Sequence, residues 1–335
     1  MKIEIIGSGV SGLCCAHAFV ERRCEVSIIS ASDTLDSNCC SWWAGGMLAP
    51  GCEGESAEPL IATLGLESMA FWQSIAPDYT TAGTLVVATS RDQPLLNNFA
   101  RNTQGWQTLE AEQMQSLEPD LAERFNKGLY FADEAHLDPR QTLSQLIKTL
   151  KNRGVQFEQR LINDGAGNDY SSAADWIIDC RGLGADQQLK DLRGVLGEML
   201  HIHSTDITLS RPVRLLHPRI PLYIVPRANG VFMIGATMIE SAKRQRASVR
   251  SVLELLSAAY ALHPAFGEAE IIEIGVEARP AFADNLPRLR RLGKTLSVNG
   301  MYRHGFLAAP AMARRCVDFA LDGIIPTEVM DENPA

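Results

Sequence analysis

The sequence predicts an α/β protein in which a nucleotide-binding domain is interrupted by antiparallel sheet. Three observations carry that prediction. Residues 3–6 form an apolar strand that runs straight into Gly7-x-Gly9-x-x-Gly12 and a helix. From residue 194 onward, short alternating runs with a hairpin signal replace the strand–helix rhythm. Residues 295–321 then read as strand, glycine-containing loop and helix, a return to the opening pattern.

In the opening unit each glycine meets a separate demand. Gly7 permits the tight turn, Gly9 lets the backbone approach a pyrophosphate, and Gly12 lets the helix pack closely on the strand. The helix N-terminus, at Val10 and Ser11, adds unpaired N–H groups and the positive end of the helix dipole. The motif specifies a dinucleotide and leaves FAD and NAD open. The second strand, residues 25–30, ends where such sites place an acidic residue for the adenosine ribose. Here that position is Ser30, with Asp33 three residues on, so the tightest form of the contact is missing.

After a helix over residues 11–22 and that second strand, residues 40–50 (Cys-Ser-Trp-Trp-Ala-Gly-Gly-Met-Leu-Ala-Pro) read as a small-residue loop. An apolar-periodic helix follows at 58–75, a strand at 82–89, and a short helix at 110–117 that stops before Pro119. Residues 140–152 form an amphipathic helix and 155–158 a strand. A further nucleotide-domain strand, 175–180, leads into Arg181-Gly-Leu-Gly184. Strands are predicted at 194–202, 222–226 and 231–236; the last two are joined by Arg227-Ala-Asn-Gly230, an Asn-Gly hairpin signal. A helix at 246–262 precedes an apolar strand, 270–276, that ends at Glu277-Ala-Arg-Pro280. The last strand, 295–298, is followed by a loop to Gly305 and a helix to about residue 321.

A chain of 335 residues, 46% of them hydrophobic, can bury the core of two domains or of one large discontinuous one. The net charge of −9 argues against nucleic acid or an anionic membrane surface as the main partner. No apolar run reaches the ~18–20 residues that span a bilayer. Met1-Lys2 leads directly into the first strand, which leaves no room for a cleavable signal peptide. Eight cysteines without metal-type or disulfide-framework spacing predict reduced thiols and a cytoplasmic protein.

Several segments have a chemical reading beside a plain one. Ala44-Gly-Gly-Met47 brings bare backbone against a planar ring, or it is a loop around a buried tryptophan pair. A lone arginine is ordinarily a solvated charge. Arg279 and Arg303, however, stand at strand or loop ends among glycine, proline and apolar residues, where a guanidinium suits a substrate carboxylate. Tyr223 is either a core aromatic or a second contact to that carboxylate. His304 either lines the site or points away. His201-x-His203 puts two imidazoles on one strand face with no third ligand in view, so no metal site is expected. The chain has no Gly-x-Ser-x-Gly elbow and no Cys-x-x-Cys, so nothing favours a serine hydrolase or a dithiol reductase.

Taken in order, six blocks carry a resemblance: the glycine motif, Ala44-Gly-Gly-Met-Leu-Ala-Pro50, Tyr223-Ile-Val-Pro-Arg227, Ile234-Gly-Ala-Thr-Met238, Ala278-Arg-Pro280 and Tyr302-Arg-His-Gly-Phe-Leu-Ala-Ala-Pro310. Over nearly its whole length the chain resembles the FAD-dependent D-amino-acid oxidase family, and within it the glycine oxidases of thiamine biosynthesis. The resemblance implies a discontinuous Rossmann-like FAD-binding domain (residues 1–81, 137–193 and 277–335) with an inserted antiparallel-sheet substrate domain (82–136 and 194–276). It implies non-covalent FAD, held by Gly7, Gly9, Val10, Ser11, Gly12 and Ser30 at the nucleotide end. Ala44, Gly45, Gly46 and Met47 would line one flavin face, and Arg303, His304, Gly305, Phe306 and Leu307 would lie at the flavin's carbonyl end. Arg279 would clamp the substrate carboxylate with Tyr223 assisting, Arg303 would lie near the flavin and the site mouth, and Met238 and Met47 would wall a small pocket.

The implied reaction is oxidation of glycine or another small amino acid to the imino acid, with O2 reduced to H2O2 and no general base required. The imine would be handed to thiazole synthase. Two other functions share these features: a D-amino-acid or sarcosine dehydrogenase that uses another electron acceptor, and a flavoprotein accessory that binds or modifies a partner protein. The sequence leaves the oligomeric state open; among soluble proteins that oligomerise, symmetric homo-oligomers predominate, so a homo-oligomer is one option.

Overall fold

The computed structural model describes residues 1–32, 35, 37–162, 172–219, 221–241 and 246–331; Asp33 lies outside the described residues. The chain opens with β1 (Lys2–Ile6), α1 (Val10–Glu21), β2 (Glu25–Ser30), β3 (Met47–Leu48), α2 (Pro50–Glu53) and α3 (Pro59–Ile75). It continues through β4 (Thr84–Ala88), α4 (Gln93–Asn102), β5 (Gln107–Glu110), α5 (Ala111–Leu117), α6 (Pro119–Ala122), β6 (Lys127–Phe131) and β7 (Ala135–His136). Then come α7 (Pro139–Asn152), β8 (Gln156–Gln159), β9 (Trp176–Asp179), β10 (Arg193–His203), β11 (Val213–Leu216), β12 (Leu222–Pro226) and β13 (Val231–Gly235). The last elements are β14 (Ile239–Glu240), α8 (Val249–Leu262), β15 (Glu270–Ala281), β16 (Arg288–Leu292), β17 (Thr295–Asn299) and α9 (Gly305–Asp322).

Strands from three distant stretches of chain build one six-stranded sheet in the order β16-β17-β9-β1-β2-β8. All its pairings are parallel except that of edge strand β16 with β17. Central β1 is apolar because both faces are covered; Ile3, Ile5 and Ile6 are buried. Helix α9 packs on α1 and α3 through a run of small residues, Ala308, Ala309, Ala311 and Ala313, all buried. A Cβ at Gly65 on α3 would come within 2.7 Å of Leu307, which shows how closely these helices approach. Pro310 lies within α9 and cannot donate to the Phe306 carbonyl four residues back. The buried indole Nε1 of Trp72 donates to that carbonyl instead, at 2.6 Å, so the proline leaves no unpaired group.

The second sheet has nine strands in the order β14-β10-β13-β12-β11-β4-β6-β5, with β15 also pairing β10. Its only parallel contact among the described residues is β4 with β11. The Asn-Gly hairpin forms as the sequence predicts: Asn229 and Gly230 both take positive φ (59° and 70°), and Arg227 N–H donates to the Val231 carbonyl at 2.8 Å. Leu200, Ile202, Ile224, Phe232 and Ile234 bury one face against α8.

The structure corrects several element boundaries. Residues 40–50 are not an open loop, since they hold a 3-10 turn at Cys40–Trp43, the short strand β3 and the start of α2. The strand expected at 270–276 extends to Ala281, because β10 offers it a partner along its whole length, so Arg279 stands inside a strand, opposite Val195. Helix α4 and strands β5, β6 and β16 were not read from the sequence. Strand β16 (Arg-Leu-Arg-Arg-Leu) looks like a solvated run, yet Arg290 is buried and paired with Asp191 (2.6 Å) and Asp331 (2.5 Å).

Candidate functional site

At the C-terminal end of β1 the backbone turns back on itself so tightly that only glycine fits. Gly7 has φ 108°, and a Cβ there would lie 2.6 Å from the Cys180 carbonyl oxygen. A Cβ on Gly12 would collide with the Gly7 carbonyl. Helix α1 has no side-chain cap; its first internal bond runs from Leu13 N–H to the Gly9 carbonyl (3.0 Å), and Val10 N–H takes the Ser41 hydroxyl at 3.0 Å. The N–H groups of Ser11 and Gly12 therefore have no partner within the helix and stand at the positive end of its dipole. The cradle is too narrow for a side chain and its donors suit an anion, so it fits a pyrophosphate. Ser30 lies beside it with its hydroxyl turned to the Ser32 carbonyl.

The cradle is one end of a cavity of about 820 Å3 lined by residues of both sheets. Of the residues singled out from the sequence, Gly7, Gly9, Val10, Ser11, Ser30, Ala44–Met47, Tyr223, Met238, Arg279 and Arg303–Leu307 all line it; Gly12 packs beneath it. Tyr223 stands on β12 with its ring between two bare backbones. A Cβ on Gly45 would approach its Cε2 to 3.0 Å, and one on Gly235 its hydroxyl to 2.6 Å. Met238 is 50% exposed and so lies at the cavity's open rim, where Tyr302 Oη is 3.2 Å from its sulfur. Met47 packs against two small apolar clusters that underlie the segment.

Arg279 reaches across β10 so that its guanidinium lies over Gly197, and Nη1 donates to the Thr237 carbonyl at 3.1 Å. Thr237 is itself fixed, because its hydroxyl donates to buried Glu198 (2.9 Å) and its N–H to the Glu198 carbonyl (3.1 Å). The remaining guanidinium edge of Arg279 has no protein partner among the described residues. Burial pushes the Tyr223 hydroxyl above its ordinary pKa, while Arg279, Arg303 and Arg214 pull it down, so three cations bear on one ring.

Two of the residues at this end, Glu53 and Arg214, were not foreseen. Glu53, at the end of α2, is buried and accepts from Arg214 (2.5 Å), Arg303 (2.7 Å) and His304 Nε2 (3.0 Å). Burial opposes its charge, but the two guanidiniums and the imidazole outweigh burial and hold its carboxyl well below the usual carboxylate range. Burial likewise lowers the pKa of His304, against the pull of Glu53. Arg303 is thus anchored to Glu53 and also to the Ser56 hydroxyl (2.8 Å). The sequence did hold a signal: Arg214 is a lone cation inside the apolar run Val213–Leu216. His201 and His203 lie elsewhere, facing Glu273 (3.0 Å) and Glu270 (3.7 Å).

A dinucleotide that only anchors a protein needs a cradle; one that does chemistry at its far end also needs charged groups across the same cavity, here carried on a second sheet. That combination is the design of a flavin-dependent oxidoreductase. The sequence agrees: the family model for DAO, FAD dependent oxidoreductase, matches residues 2–319, and the chain belongs to this family, with FAD as cofactor. The chain is 48% identical over 314 residues to "Putative thiamine biosynthesis oxidoreductase ThiO" of Rhizobium etli, covering 93% of this chain and 94% of the relative. It is 24% identical over 347 residues to a bifunctional ThiO/ThiG protein of Synechocystis, covering 96% of this chain and 51% of the relative. The crystal structure of glycine oxidase from Geobacillus kaustophilus superimposes with a TM-score of 0.80 at 22% identity, over 95% of this chain and 94% of that one.

Proposed function

We propose that the protein oxidises glycine, or a comparably small amino acid, and supplies the resulting imine for the thiazole ring of thiamine. The observation that carries this reading is Arg279. Its guanidinium is held on one edge by the fixed Thr237 carbonyl, and its other edge is left toward a cavity narrowed by Tyr223. A bidentate partner for a carboxylate next to a phenol suits an amino acid, and the 25% identity to a glycine oxidase of Geobacillus kaustophilus supports a small one. The 48% identity to a relative named for thiamine biosynthesis supports the pathway.

In this reading residues 1–81, 137–193 and 277–335 hold FAD, and residues 82–136 and 194–276 carry the substrate. Arg279 binds the carboxylate, Tyr223 orients it, and Ala44–Met47 keep side chains off one face of the ring. The N-terminus of α9, at Gly305–Leu307, favours negative charge beside it. Bound FAD would supply the redox chemistry, two-electron oxidation at the Cα–H bond with O2 as the final acceptor. Glycine and O2 thereby give iminoacetate and H2O2, and water then converts iminoacetate to glyoxylate and ammonia. Burial of the bound amino acid beside Tyr223 and Arg279 favours loss of the ammonium proton before oxidation. The fused ThiO/ThiG relative supports hand-off of the imine to a thiazole synthase. All eight cysteines are free thiols, which supports a reducing, cytoplasmic setting, and no helix is long and apolar enough to cross a membrane.

The test is anaerobic reduction of the bound flavin by glycine, sarcosine and D-alanine, followed by admission of O2. Bleaching by glycine and stoichiometric peroxide are expected. Failure of every small amine to bleach the flavin would overturn the reading, and bleaching without peroxide would assign a different acceptor.

A further inference from the structure

The carboxylate of Glu53 is shared between two cations from different parts of the fold. Arg214 comes from β11 in the nine-stranded sheet, and Arg303 from the loop before α9. His304, the third partner, is held by burial below its ordinary pKa, against the pull of Glu53, and is left out of the count. The cluster thus has two positive charges and one negative, a surplus of one. Arg214 is not fully used by its carboxylate, since its Nε is buried without a hydrogen-bond partner, as is Nδ1 of His304. Four of these side chains, Glu53, Arg214, Arg303 and His304, line the cavity that also holds the pyrophosphate cradle. Behind Arg214, buried Glu134 accepts from Cys52 N–H at 2.7 Å, and burial raises its carboxyl pKa. Arg214 also feels Glu134, so the surplus of one is that of Glu53, Arg214 and Arg303 taken alone; a change of one unit in it is felt across the cavity, because little water screens it.

We propose that Arg214, acting through Glu53, sets the charge of the cavity and so determines how strongly the bound flavin is drawn toward a negatively charged state. Arg214 is a positioning and charge-setting residue, since its partner is Glu53 rather than the substrate. The role rests on FAD occupying the cavity and is independent of which amine is oxidised. It also gives a reason for the architecture. Arg303 alone would carry the same surplus, but Glu53 anchors its guanidinium (2.7 Å), and Arg214 then restores the sum to one.

The test is a charge series read by sulfite. Sulfite adds to oxidised flavin with a gain of negative charge on the ring, and its affinity rises with positive potential nearby. In the FAD-loaded enzyme the cluster carries a surplus of one; Glu53→Gln raises it to two, Arg214→Gln lowers it to zero, and the double variant returns it to one. Arg279 and Glu134 are the same in all four proteins, and all are compared at one pH. We expect the sulfite Kd to fall about tenfold in Glu53→Gln and to rise about tenfold in Arg214→Gln, the size of effect a unit charge has at such range in a partly screened interior. The double variant should return to within about threefold of the parent, and flavin midpoint potentials from dye equilibration should follow the same order. A purely structural role predicts the opposite for the double variant, which would then be the worst of the four. That outcome, or weaker sulfite binding in both single variants, overturns the proposal. If Arg214→Gln does not retain FAD, Glu53→Gln and the charge-conserving Arg214→Lys decide: the first must tighten sulfite binding and the second must leave it near the parent value. Sulfite needs no amino-acid substrate, so inability to oxidise glycine leaves this readout standing.

Discussion

Adding one methyl group at Gly197 should damage substrate binding without touching flavin or fold. Gly197 is a buried residue of β10 opposite Glu277, and its backbone is ordinary extended strand, so alanine strains nothing there. A Cβ at this position would lie 2.5 Å from Arg279 Cζ and 2.9 Å from Nη1. Non-bonded carbons settle at ~3.5–4.0 Å, so the guanidinium must move by about 1 Å. That shift breaks the 3.1 Å bond from Nη1 to the Thr237 carbonyl, which fixes the orientation of the fork. A misplacement of about 1 Å in a positioning group costs up to ~100-fold, and losing one charge-assisted bond costs ~1.5–3 kcal/mol. The expected result for Gly197→Ala is a KM for glycine raised about 30- to 100-fold, with flavin content and thermal midpoint near those of the parent. Steady-state peroxide production across a wide glycine range, beside flavin absorbance, measures both. A KM within threefold of the parent would refute the assignment of Arg279 as carboxylate receptor in the observed pose.

Other consequences follow from burial and charge. Gly12→Ala forces α1 away from the Gly7 carbonyl, so the protein should purify without visible flavin absorbance while its far-ultraviolet spectrum stays helical. Arg211 pairs with Glu118, which is 1% exposed, at 2.7 Å, so Arg211→Met strands a buried carboxylate. Urea unfolding should show a loss of ~3–5 kcal/mol, partly recovered by adding Glu118→Gln. Burial first, then Arg227 and Arg211, lower the pKa of His136 to about 4. The folded state holds this imidazole neutral whereas the unfolded chain takes up a proton below about pH 6.5, so its contribution is complete above that pH and is lost as pH falls toward 4. Urea midpoints should drop steadily from pH 6.5 to 4 and drop less steeply in His136→Gln; equal slopes for the two proteins would refute this.

What the sequence revealed was local. The strand, glycine turn and helix at residues 2–21 are legible because every constraint on them lies within a few residues, and the same is true of the hairpin at Asn229-Gly230. Arg279, Tyr223 and Arg303 could be singled out because each is out of place in its immediate surroundings, and the fold brings all three to one cavity. The pairing of Glu53 with Arg214 and Arg303 was invisible because the partners are 161 and 250 residues apart, and no local pattern records such a contact. Strand β16 was missed for a related reason. Its arginines resemble a solvent-facing run until Asp191, 99 residues away from Arg290, and Asp331 are placed beside it. The extent of β15 likewise depended on β10, since an edge of that length is held by its partner more than by its own residues.

The order of strands in the six-stranded sheet bears on how the protein is made. β1 pairs β2 close by in the chain, but its other neighbour, β9, and β17, which pairs β9, lie about 175 and 295 residues later, and α9, which covers α1 and α3, is later still. Until then the faces of α1 and α3 that α9 covers lack that partner, and the cavity lacks the Arg303–Leu307 wall. The nucleotide cradle is therefore encoded at the start of the chain and completed near its end. A nascent chain has no complete flavin site to fill until Arg303–Leu307 are made, so loading with FAD follows their synthesis.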